Sequence, residues 1–583
     1  RVFPGDTVVV EVVTGSDGKQ MGKLEKLIET SLTEFTGQYV VRDKAHFIEP
    51  DLPRLSRWLF VPPRARNQAA HGDWVKARVT RHPFTDGRPQ VEVVSVIGAD
   101  DKPGVEGDYV ITRFGLDAAP LSADGITEPD TAGREDLTHL PFVTIDSAET
   151  RDMDDALYAE RDGDGWTLWV AVADPDAWLP AESPLAAVAQ ARGQTVYLPG
   201  RTLPMLPPAL ALDRCSLQPG VERLALVARL SLAASGSVNG VQFSEARIVS
   251  RAKLTYNAVA QLLEQGTGEL PEGIDAAWLH ALHDAARALN DYRARHFAVM
   301  PDRPDYRFVF SADQRVERIE RQDKNCAQQL VEDCMLATNR AAAEWLEDCP
   351  ALFIGHSGLR PERLEAVTAL ARTVLNDAAV APDTLAGYLA IARQLDQNDT
   401  TRALRAVLLR SLERSQFATE PLPHFGLGFP RYTTITSPIR KWNDLLMHRI
   451  IKARLRGTTP PAITPEMVST LQQQLDLSRQ ACQLAEQWLR CRYMAEQPAD
   501  AVYQGQIVFV NSGGFTVRLD DTGVEGFVET RRMAGKFSFD STAMTLSSAD
   551  QSFRLEQPVS VRVEQVEPAK RSIRFTLCET AAS

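Results

Sequence analysis

Hydrophobic and polar positions alternate with a period of two at several places along the chain. A turn followed by a valine-rich strand occurs three times, at residues 4–10, 71–79 and 557–563. Because successive side chains of a strand point to opposite faces, this alternation indicates half-buried β-structure. We predict that each of the three copies belongs to a small β-barrel.

Two regions carry enough of this pattern for a whole barrel. Residues 35–97 contain short strand candidates such as 37–41, separated by loops with proline and arginine, and five short strands in that length suit an OB-like barrel. Residues 501–577 contain a strand candidate at 503–510, followed by a hairpin at Gly513 and Gly514. The second region carries the clearer barrel signature.

Between these regions the hydrophobic period changes from two to about 3.6, which predicts helices. A sheet is predicted from the early strand candidates of the same region, and the proline-rich residues 458–464 are predicted to be a surface loop. The predicted strands are 142–145, 166–172 and 224–230, and the predicted helical stretches are 252–298, 327–346, 361–417 and 441–494. Strands followed by long helices indicate a large α+β domain whose sheet is covered by helices.

The length of 583 residues is too great for a single hydrophobic core, so the chain is multidomain. A hydrophobic fraction of 44% and a charged fraction of 24% are ordinary for globular proteins. No apolar run reaches the length needed to cross a bilayer. We therefore expect no membrane segment.

The seven cysteines include no C-x-x-C pair, and an odd number does not suit a disulfide framework or a structural zinc site. A reducing, cytoplasmic setting is expected. The chain starts at Arg1 without a secretory leader, and we expect that preceding sequence is missing. The net charge of −13 opposes non-specific binding of polyanions, so any RNA-binding surface must segregate its basic residues.

Four aspartates crowd the segment after the first predicted strand of the central domain. That strand ends at Asp146, and a polar loop leads to Asp152, Asp154 and Asp155. Two carboxylates about 4 Å apart repel by about 4 kcal/mol at an effective dielectric constant near 20. Such crowding predicts bound cations, and two magnesium ions can stabilise both the attacking and the leaving oxygen of a phosphodiester displacement.

Two other interpretations of this acidic segment remain. A random D-x-D-D sequence is more often a solvated acidic turn, although the apolar flanks here weaken that interpretation. A calcium loop is the second alternative, but the central glycine and the terminal glutamate of an EF-hand are absent from their positions.

Phosphate chemistry also needs positive charge and a surface that holds bases. Residues 436–441 place Arg440 just before a predicted helix, where a bidentate arginine can clamp the scissile phosphate. Ser437 as a cap and Pro438 as the first helical residue would make this an ordinary helix start as well. Tyr197 is the best candidate for stacking on a base, although a tyrosine on its own is more often a core residue.

Six blocks of sequence together resemble the ribonuclease II family of exoribonucleases. They are residues 142–157, 196–199, 215–217, 302–308, 424–428 and 436–441. The resemblance covers nearly the whole chain and implies OB-fold β-barrels that flank a large α+β catalytic domain. On this comparison the domains are a remnant of a first cold-shock barrel (1–30), a second cold-shock barrel (31–100), the catalytic domain (101–498) and an OB-fold RNA-binding domain of the ribosomal-protein-S-one type (499–583).

The resemblance also implies an activity. A member of this family hydrolyses single-stranded RNA processively from the 3′ end, releases nucleoside 5′-monophosphates and takes part in RNA and mRNA degradation. The implied cofactor is Mg²⁺, with Mn²⁺ as an alternative ion. The implied partner is single-stranded RNA, and we expect a cytoplasmic monomer.

Roles for individual residues follow from matching positions in the family. Asp146, Asp152 and Asp155 would coordinate magnesium. Asp154 would be the carboxylate most critical for cleavage, either by holding the second ion or by orienting the attacking water. Arg440 would stabilise charge on the phosphate.

Further positions would contact RNA, and two of them depart from the family pattern. Tyr197 would pack against the terminal nucleotide, and Glu332 matches a position near the RNA 3′ end. Met300 stands where the ribonuclease II type has a stacking phenylalanine, and it can pack on a base but lacks a π surface. Cys482 stands where that type has a glutamate that influences RNA release, so the role of the nearby Glu486 is in doubt.

Two alternative functions remain. The first is a ribonuclease R-like activity on structured RNA, although the chain ends without a lysine-rich extension, which favours the ribonuclease II type. The second is an RNA-binding protein whose central domain is inert. The sequence contains no Walker motif, G-x-S-x-G elbow or H-E-x-x-H motif, so helicase, serine hydrolase and zinc protease activities lack support.

Overall fold

The computed structural model of the chain describes residues 2–14, 19–84, 87–299, 301–375 and 380–578. The chain starts with an antiparallel hairpin of β1 (Thr7–Thr14) and β2 (Gln20–Glu29). Val9, Val10 and Val12 are exposed on it. The prediction of a barrel for residues 4–10 is therefore wrong for the part of the chain that the structure describes, because two strands cannot close on themselves.

The second unit is a closed five-stranded barrel with the order β3-β4-β5-β7-β6. Phe35, Tyr39, Ile48 and Val75 fill its interior. The predicted strand at 37–41 lies within β3, so the predicted OB-like barrel is confirmed. Its strands are β3 (Glu34–Arg42), β4 (Ala45–Pro50), β5 (Leu59–Phe60), β6 (Asp73–Arg81) and β7 (Gln90–Ala99).

A helix, α1 (Val105–Phe114), leads from this barrel into the central domain. The main sheet there has the order β14-β11-β10-β9-β15-β8, and the long β15 also pairs with β14. The first elements of the domain are β8 (Glu135–Asp136), β9 (Phe142–Asp146), β10 (Asp155–Asp162), β11 (Gly165–Ala173), α2 (Pro184–Arg192), β12 (Val196–Leu198), β13 (Arg201–Leu203), β14 (Glu222–Leu232) and β15 (Val238–Thr255). All three predicted strands are present.

Helices follow the sheet, as predicted for an α+β domain. They are α3 (Tyr256–Gln265), α4 (Ala276–His296), α5 (Cys326–Trp345), α6 (Pro361–Leu375), α7 (Leu385–Asp396), α8 (Asp399–Arg402), α9 (Arg405–Arg410), α10 (Trp442–Arg456) and α11 (Pro465–Ala495). Short strands interrupt them: β16 (Asp305–Phe310), β17 (Val316–Gln322), β18 (Phe353–Gly355) and β19 (Gln416–Ala418). The predicted loop at 458–464 separates α10 from α11.

One predicted helical stretch begins too early. Residues 252–255 belong to strand β15, and α3 begins only at Tyr256. The strand continues because it pairs in parallel with β9 as far as Thr255, which lies opposite Asp146. Thr255 then caps the helix, since its Oγ1 accepts a hydrogen bond from the backbone N–H of Ala258 at 3.2 Å.

The C-terminal unit is a second closed five-stranded barrel, with the order β20-β21-β22-β27-β26 and a small sheet of β23–β25 beside it. The predicted hairpin at Gly513 and Gly514 is confirmed, because Asn511 pairs with Gly514 across it. The strands are β20 (Val502–Asn511), β21 (Gly514–Leu519), β22 (Glu525–Glu529), β23 (Ser538–Asp540), β24 (Thr545–Ser547), β25 (Ser552–Arg554), β26 (Pro558–Glu567) and β27 (Ser572–Leu577).

Aromatic side chains join the closed barrel of strands β3–β7 to the long helix α11. The ring centroids of Trp74 on β6, Tyr109 on α1 and Trp488 on α11 lie 4.9 to 5.3 Å apart in edge-to-face contacts. All three side chains are buried, so they form a small core of their own. No helix among the described residues is both long and apolar enough to cross a bilayer.

Candidate active site

Three strands bring the four predicted aspartates to one edge of the central sheet. Strand β9 ends at Asp146, and Thr255 at the end of the parallel strand β15 lies directly opposite. Strand β10 runs antiparallel and begins at Asp155. The segment between β9 and β10 therefore has both its ends at this edge, which is why its aspartates converge.

Buried and half-buried groups fix the loop that carries the middle aspartates. Ser216 Oγ donates a hydrogen bond to the backbone oxygen of Arg151 at 2.7 Å and accepts one from the backbone N–H of Met153 at 3.1 Å. Lys253 Nζ donates to the backbone oxygen of Thr150 at 2.5 Å. The loop is thus held on both sides of Asp152, and Ser216 contributes as a positioning residue.

Asp154 is the most enclosed member of the cluster, with only 7% of its surface exposed. Its Oδ1 accepts a hydrogen bond from the backbone N–H of Ile439 at 3.0 Å, and its Oδ2 lies 3.4 Å from Arg440 Nε. Burial raises the pKa of Asp154 to about 7, and Arg440 opposes this rise. Raising the pKa from 3.8 to about 7 disfavours ionisation by on the order of 4 kcal/mol.

The other carboxylates differ in their surroundings. Burial is the main reason that the pKa of Asp155 rises well above its ordinary value, and the charges of Asp146 and Asp154 add to it. Burial also raises the pKa of Asp146 to about 6, with Lys253 opposing the rise. The negative charges of these aspartates therefore raise one another's pKa values, and the nearby cations Lys253 and Arg440 only partly oppose this rise.

Arg440 sits in a tight turn and not in the first turn of a helix. The backbone N–H groups of Arg440 and Lys441 both donate to the backbone oxygen of Ser437, and α10 begins only at Trp442. The prediction that Ser437 caps the helix with Pro438 as its first residue is therefore wrong. The Ser437 hydroxyl instead accepts a hydrogen bond from Arg440 Nη2 at 2.9 Å, which orients the guanidinium.

A buried carboxylate that the sequence analysis missed holds this turn. Asp444 Oδ2 accepts a hydrogen bond from the backbone N–H of Ser437 at 2.8 Å, and its Oδ1 accepts one from Thr434 Oγ1 at 2.6 Å. Asn339 on α5 assists, since its Oδ1 accepts from the backbone N–H of Ile435 at 2.8 Å. No motif in the sequence indicated this contact.

Tyr197 lies on the hairpin of β12 and β13, with 48% of its surface exposed. Its hydroxyl donates to Asp152 Oδ2 at 3.1 Å, so the ring lies beside the aspartate cluster with one part left open. The backbone N–H of Thr195 donates to the backbone oxygen of Arg440 at 2.9 Å, which ties this hairpin to the arginine turn. Cys482 on α11 donates its thiol to the Tyr197 backbone oxygen at 3.5 Å.

Tyr256 is a second aromatic residue at the site, and the sequence analysis missed it. Burial raises its pKa, and the charges of Asp146 and Asp155 raise it further. It follows Thr255 directly, at the end of the strand that pairs with β9. The sequence pattern placed this residue inside the predicted helical stretch 252–298, so its place at the end of a strand beside the aspartates was missed.

Glu332 and Glu486 lie away from the aspartates. Glu332 on α5 receives a hydrogen bond from Lys324 Nζ at 2.6 Å and lies 3.6 Å from Arg293, and within the described residues no contact joins it to the aspartates. Glu486 on α11 pairs with Arg490 at 3.2 Å. Met300 is outside the residues that the structure describes.

The donor set at this edge fits a hard divalent cation. Carboxylate oxygens are the ligands that Mg²⁺ prefers, and these carboxylates are buried against one another with Arg440 and Lys253 as the nearby cations. Within the described parts of the chain, however, no three acidic, histidine or cysteine side chains are grouped closely enough to hold a metal ion as they stand. Magnesium therefore stays a prediction from the chemistry of the ligands.

Comparisons with known proteins agree with this layout. The RNB domain family matches residues 134–457, the cold shock domain family matches 47–119 and the S1 RNA binding domain family matches 496–577. The chain is 36% identical to Exoribonuclease 2 of Klebsiella pneumoniae subsp. pneumoniae over 545 residues, which cover 91% of this chain and 83% of that protein. It is 32% identical to Ribonuclease R of Escherichia coli over 617 residues, 98% of this chain and 74% of that protein.

A solved structure shows the same fold. The RNase R of Mycoplasma genitalium in complex with ribose-methylated single-stranded RNA superposes with a TM-score of 0.82 at 21% sequence identity, covering 99% of this chain and 95% of that one. Both barrels and the central domain thus recur in the same arrangement.

Proposed function

The chain belongs to the RNB-domain family of exoribonucleases, and from this premise we propose that it degrades single-stranded RNA processively from the 3′ end to nucleoside 5′-monophosphates with the help of Mg²⁺. The observation that carries the proposal is the pairing of buried Asp154 with Arg440 beside Tyr197. These three side chains supply an acidic group, a positive charge for phosphate and a surface for the last base. Mn²⁺ is the alternative ion.

Arg440 and Asp154 have different roles in the proposed reaction. Arg440 is held by Ser437 and faces Asp154, so its remaining N–H groups can donate to the scissile phosphate as negative charge develops. Asp154 is fixed at one oxygen by Ile439, which leaves the other oxygen in a defined direction. We assign to it either the second ion or the orientation of the attacking water.

Asp146, Asp152 and Asp155 are the proposed ligands of magnesium, together with Asp154. When bound, magnesium supplies Lewis-acid stabilisation of the attacking and leaving oxygens. The Tyr197 hydroxyl holds Asp152 in place while its half-exposed ring remains open for stacking on the terminal nucleotide. Glu332 and Met300 are proposed to contact RNA near the 3′ end.

We also propose that the enzyme is of the ribonuclease II type and acts as a cytoplasmic monomer. Relatives named Exoribonuclease 2 support this type, although Ribonuclease R is similar as well. All seven cysteines are free thiols, which suits a reducing compartment. Activity on structured RNA is the second candidate function, because the chain is also similar to Ribonuclease R.

The direct test follows end-labelled single-stranded RNA and a duplex with a 3′ single-stranded tail after incubation with protein and Mg²⁺. We expect a ladder of products shortened from the 3′ end and release of nucleoside 5′-monophosphates, with a stop before the duplex. Digestion through the duplex would support the ribonuclease R type instead.

The Asp154→Asn variant tests the assigned centre. It should bind the single strand with nearly unchanged affinity and lose hydrolysis, because the amide cannot replace the carboxylate at the reacting phosphate. Asp164→Asn is the matched control, since Asp164 is exposed in the turn between β10 and β11. Near-normal cleavage by Asp154→Asn would rule out the mechanism.

A further inference from the structure

Helix α10 carries a line of three ionisable side chains that are buried in the central domain. Asp444, His448 and Lys452 follow one another at intervals of four residues, so they lie on the same face of the helix. None of the three is more than 3% exposed. Ionisable side chains are rarely buried so completely unless they have partners. We name these three residues the polar stripe.

The first two members of the polar stripe contact the segment that carries Arg440. Asp444 accepts a hydrogen bond from the backbone N–H of Ser437 at 2.8 Å. One helical turn further along, Nε2 of His448 lies 2.7 Å from the backbone oxygen of Ile435. Because a carbonyl oxygen can only accept a hydrogen bond, Nε2 must carry the proton. His448 is therefore a donor to the backbone that leads into the arginine turn.

The surroundings of His448 favour the neutral form of its ring. Its Nδ1 is buried and has no hydrogen-bond partner within the described residues, so a proton on this nitrogen would lack an acceptor. Burial lowers the pKa of His448, Asp174 opposes this, and the charge of Lys452 lowers the pKa further. The ring therefore acts as a fixed hydrogen-bond donor to Ile435.

The third member of the polar stripe contacts the end of strand β11. Lys452 Nζ donates to one oxygen of Asp174, which directly follows the strand, and to Asp176 at 3.0 Å. Arg134 Nη2 donates to the other oxygen of Asp174 at 2.7 Å. Burial opposes the charge of Asp174, but Lys452 and Arg134 outweigh it and hold the pKa of Asp174 below its ordinary value. Asp174 is therefore a charged carboxylate that is held at both oxygens.

Asp174 adjoins the residue that supports the backbone of Asp154. The backbone N–H of Ala173 donates to the backbone oxygen of Asp154 at 2.8 Å, and Asp174 is the next residue in the chain. Asp154 in turn faces Arg440, with 3.4 Å between Oδ2 and Nε. One face of α10 therefore contacts the supports of both members of this pair, the turn that carries Arg440 and the strand end beside Asp154.

We propose that His448 and Lys452 are positioning residues that set the geometry of the Asp154–Arg440 pair. His448 fixes the backbone ahead of the arginine turn, and Lys452 fixes the end of β11 through Asp174. Within the described residues, neither side chain has a hydrogen bond or ion pair to the four aspartates or to Arg440. This inference rests on the proposed function, because it concerns the same site.

The first test compares His448→Leu with His448→Gln in the hydrolysis of a short single-stranded RNA. Leucine cannot donate to Ile435, so we expect kcat to fall by on the order of 10²-fold with KM changed by less than about threefold. Glutamine offers an N–H group and should recover about tenfold of the lost kcat. His280→Leu makes the same change at an exposed position of α4 and should keep the wild-type kcat.

The second test compares Lys452→Met with Lys452→Gln. Methionine removes every donor to Asp174 and should lower kcat by about tenfold or more, because breaking a buried ion pair from one side leaves an uncompensated charge. Glutamine keeps a donor without the charge and should lose less. Thermal unfolding of each variant sets a temperature at which it is folded, and kcat is compared there. Leu455→Ala, an exposed position of the same helix, is the control.

Binding provides a measurement that does not depend on hydrolysis. In the Asp154→Asn background, His448→Leu should leave the affinity for single-stranded RNA within about twofold, because a positioning residue acts on the reacting groups and not on the bound strand.

Four results would overturn the proposal: wild-type kcat in every folded variant, a loss of kcat in His448→Leu that His448→Gln does not recover, a loss that appears in KM alone, or a matching loss of RNA affinity. Absence of hydrolysis by the wild type would instead contradict the proposed function, so the two failures are distinguished.

Discussion

At the scale of single residues, the four aspartates do not share one environment. Asp154 is nearly fully enclosed and contacts Ile439 and Arg440, whereas Asp152 is only half-buried and receives the hydroxyl of Tyr197. Enclosure raises the pKa of Asp154 to about 7. Burial also raises the pKa of the neighbouring Asp155 well above its ordinary value, so the fold disfavours the charge of both adjacent aspartates.

Tyr197 has two separable contributions, and substitutions can distinguish them. Tyr197→Ala removes both the ring and the hydroxyl, so we expect a change in the length of the final undegraded fragment. Tyr197→Phe keeps the ring and loses only the hydrogen bond to Asp152, so the fragment length should stay near that of the wild type while the rate falls. Sizing of end products on a denaturing gel measures both effects. An identical product ladder for the alanine variant would contradict the stacking role.

One buried and one half-buried histidine predict a loss of stability in acid. The rings of His356 and His424 lie 4.6 Å apart, and burial lowers their pKa values to about 4 and about 3. Because the unfolded chain takes up these protons near pH 6.5, stability is fully present above that pH and falls as the pH drops towards 4. His424→Asn keeps an acceptor for the Leu427 N–H and removes one titrating group.

The measurement is the midpoint of thermal unfolding at pH 7.5 and at pH 5. The wild type should lose more between these pH values than His424→Asn, since each of the two histidines contributes up to about 1.4 kcal/mol per pH unit in this window. The exposed His280 gives the control, His280→Asn. Equal acid shifts for the wild type and both variants would count against the histidine pair as the cause.

At the scale of elements, the turn at residues 436–441 depends on contacts from helix α10. Asp444 accepts hydrogen bonds at both carboxylate oxygens, from Ser437 and Thr434. Asp444→Asn replaces one oxygen by an NH₂ group that faces a donor, which costs about 1–3 kcal/mol for an unmade buried hydrogen bond. We expect kcat to fall by on the order of 10²-fold with a smaller change in KM, because Arg440 loses its orientation.

A control separates this positioning role from general destabilisation. Asp164→Asn should leave kcat, KM and the unfolding midpoint near wild-type values. If Asp444→Asn lowers the unfolding midpoint but leaves kcat unchanged at a temperature where the protein is folded, Asp444 is only structural.

At the scale of the whole molecule, one carboxylate connects three parts of the chain. Asp51 lies in the closed barrel of strands β3–β7. It accepts hydrogen bonds from Arg571 of the C-terminal barrel and from Arg113 of α1, each at 2.5 Å, and from the hydroxyl of Tyr109. Arg571 also lies over the ring of Trp488. The position of the C-terminal barrel depends on this junction.

Asp51→Asn should loosen the C-terminal barrel without unfolding either barrel. It leaves two arginines facing each other without their shared counter-charge, and hydrogen bonds to charged groups are worth about 1.5–3 kcal/mol each. We expect amide hydrogen exchange in the turn at 568–572 to become about tenfold faster or more. Asp43→Asn is the matched control, because Asp43 is almost fully exposed in the β3–β4 turn. Unchanged exchange in the Asp51 variant would show that the junction does not hold the barrel.

The sequence by itself determined the features that are encoded locally. Strand periodicity predicted the two closed barrels, because alternation reports which face of a strand is buried. Asp146, Asp152, Asp154 and Asp155 lie within ten residues, and this crowding pointed to the acidic site because carboxylates so close together repel one another unless cations lie among them. Arg440 and Tyr197 were candidates from the chemistry that RNA cleavage needs, and the resemblance to the family then gave each a role.

Only the tertiary structure decided which distant residues complete these features. Asp154 meets Ile439 across 285 positions and Asp51 meets Arg571 across 520, and no local pattern reports contacts at such separations. The same holds for Tyr256, whose place at the site depends on how far β15 continues beside β9. Burial, which raises the pKa values of Asp146, Asp154 and Asp155, arises only when these separate segments pack together.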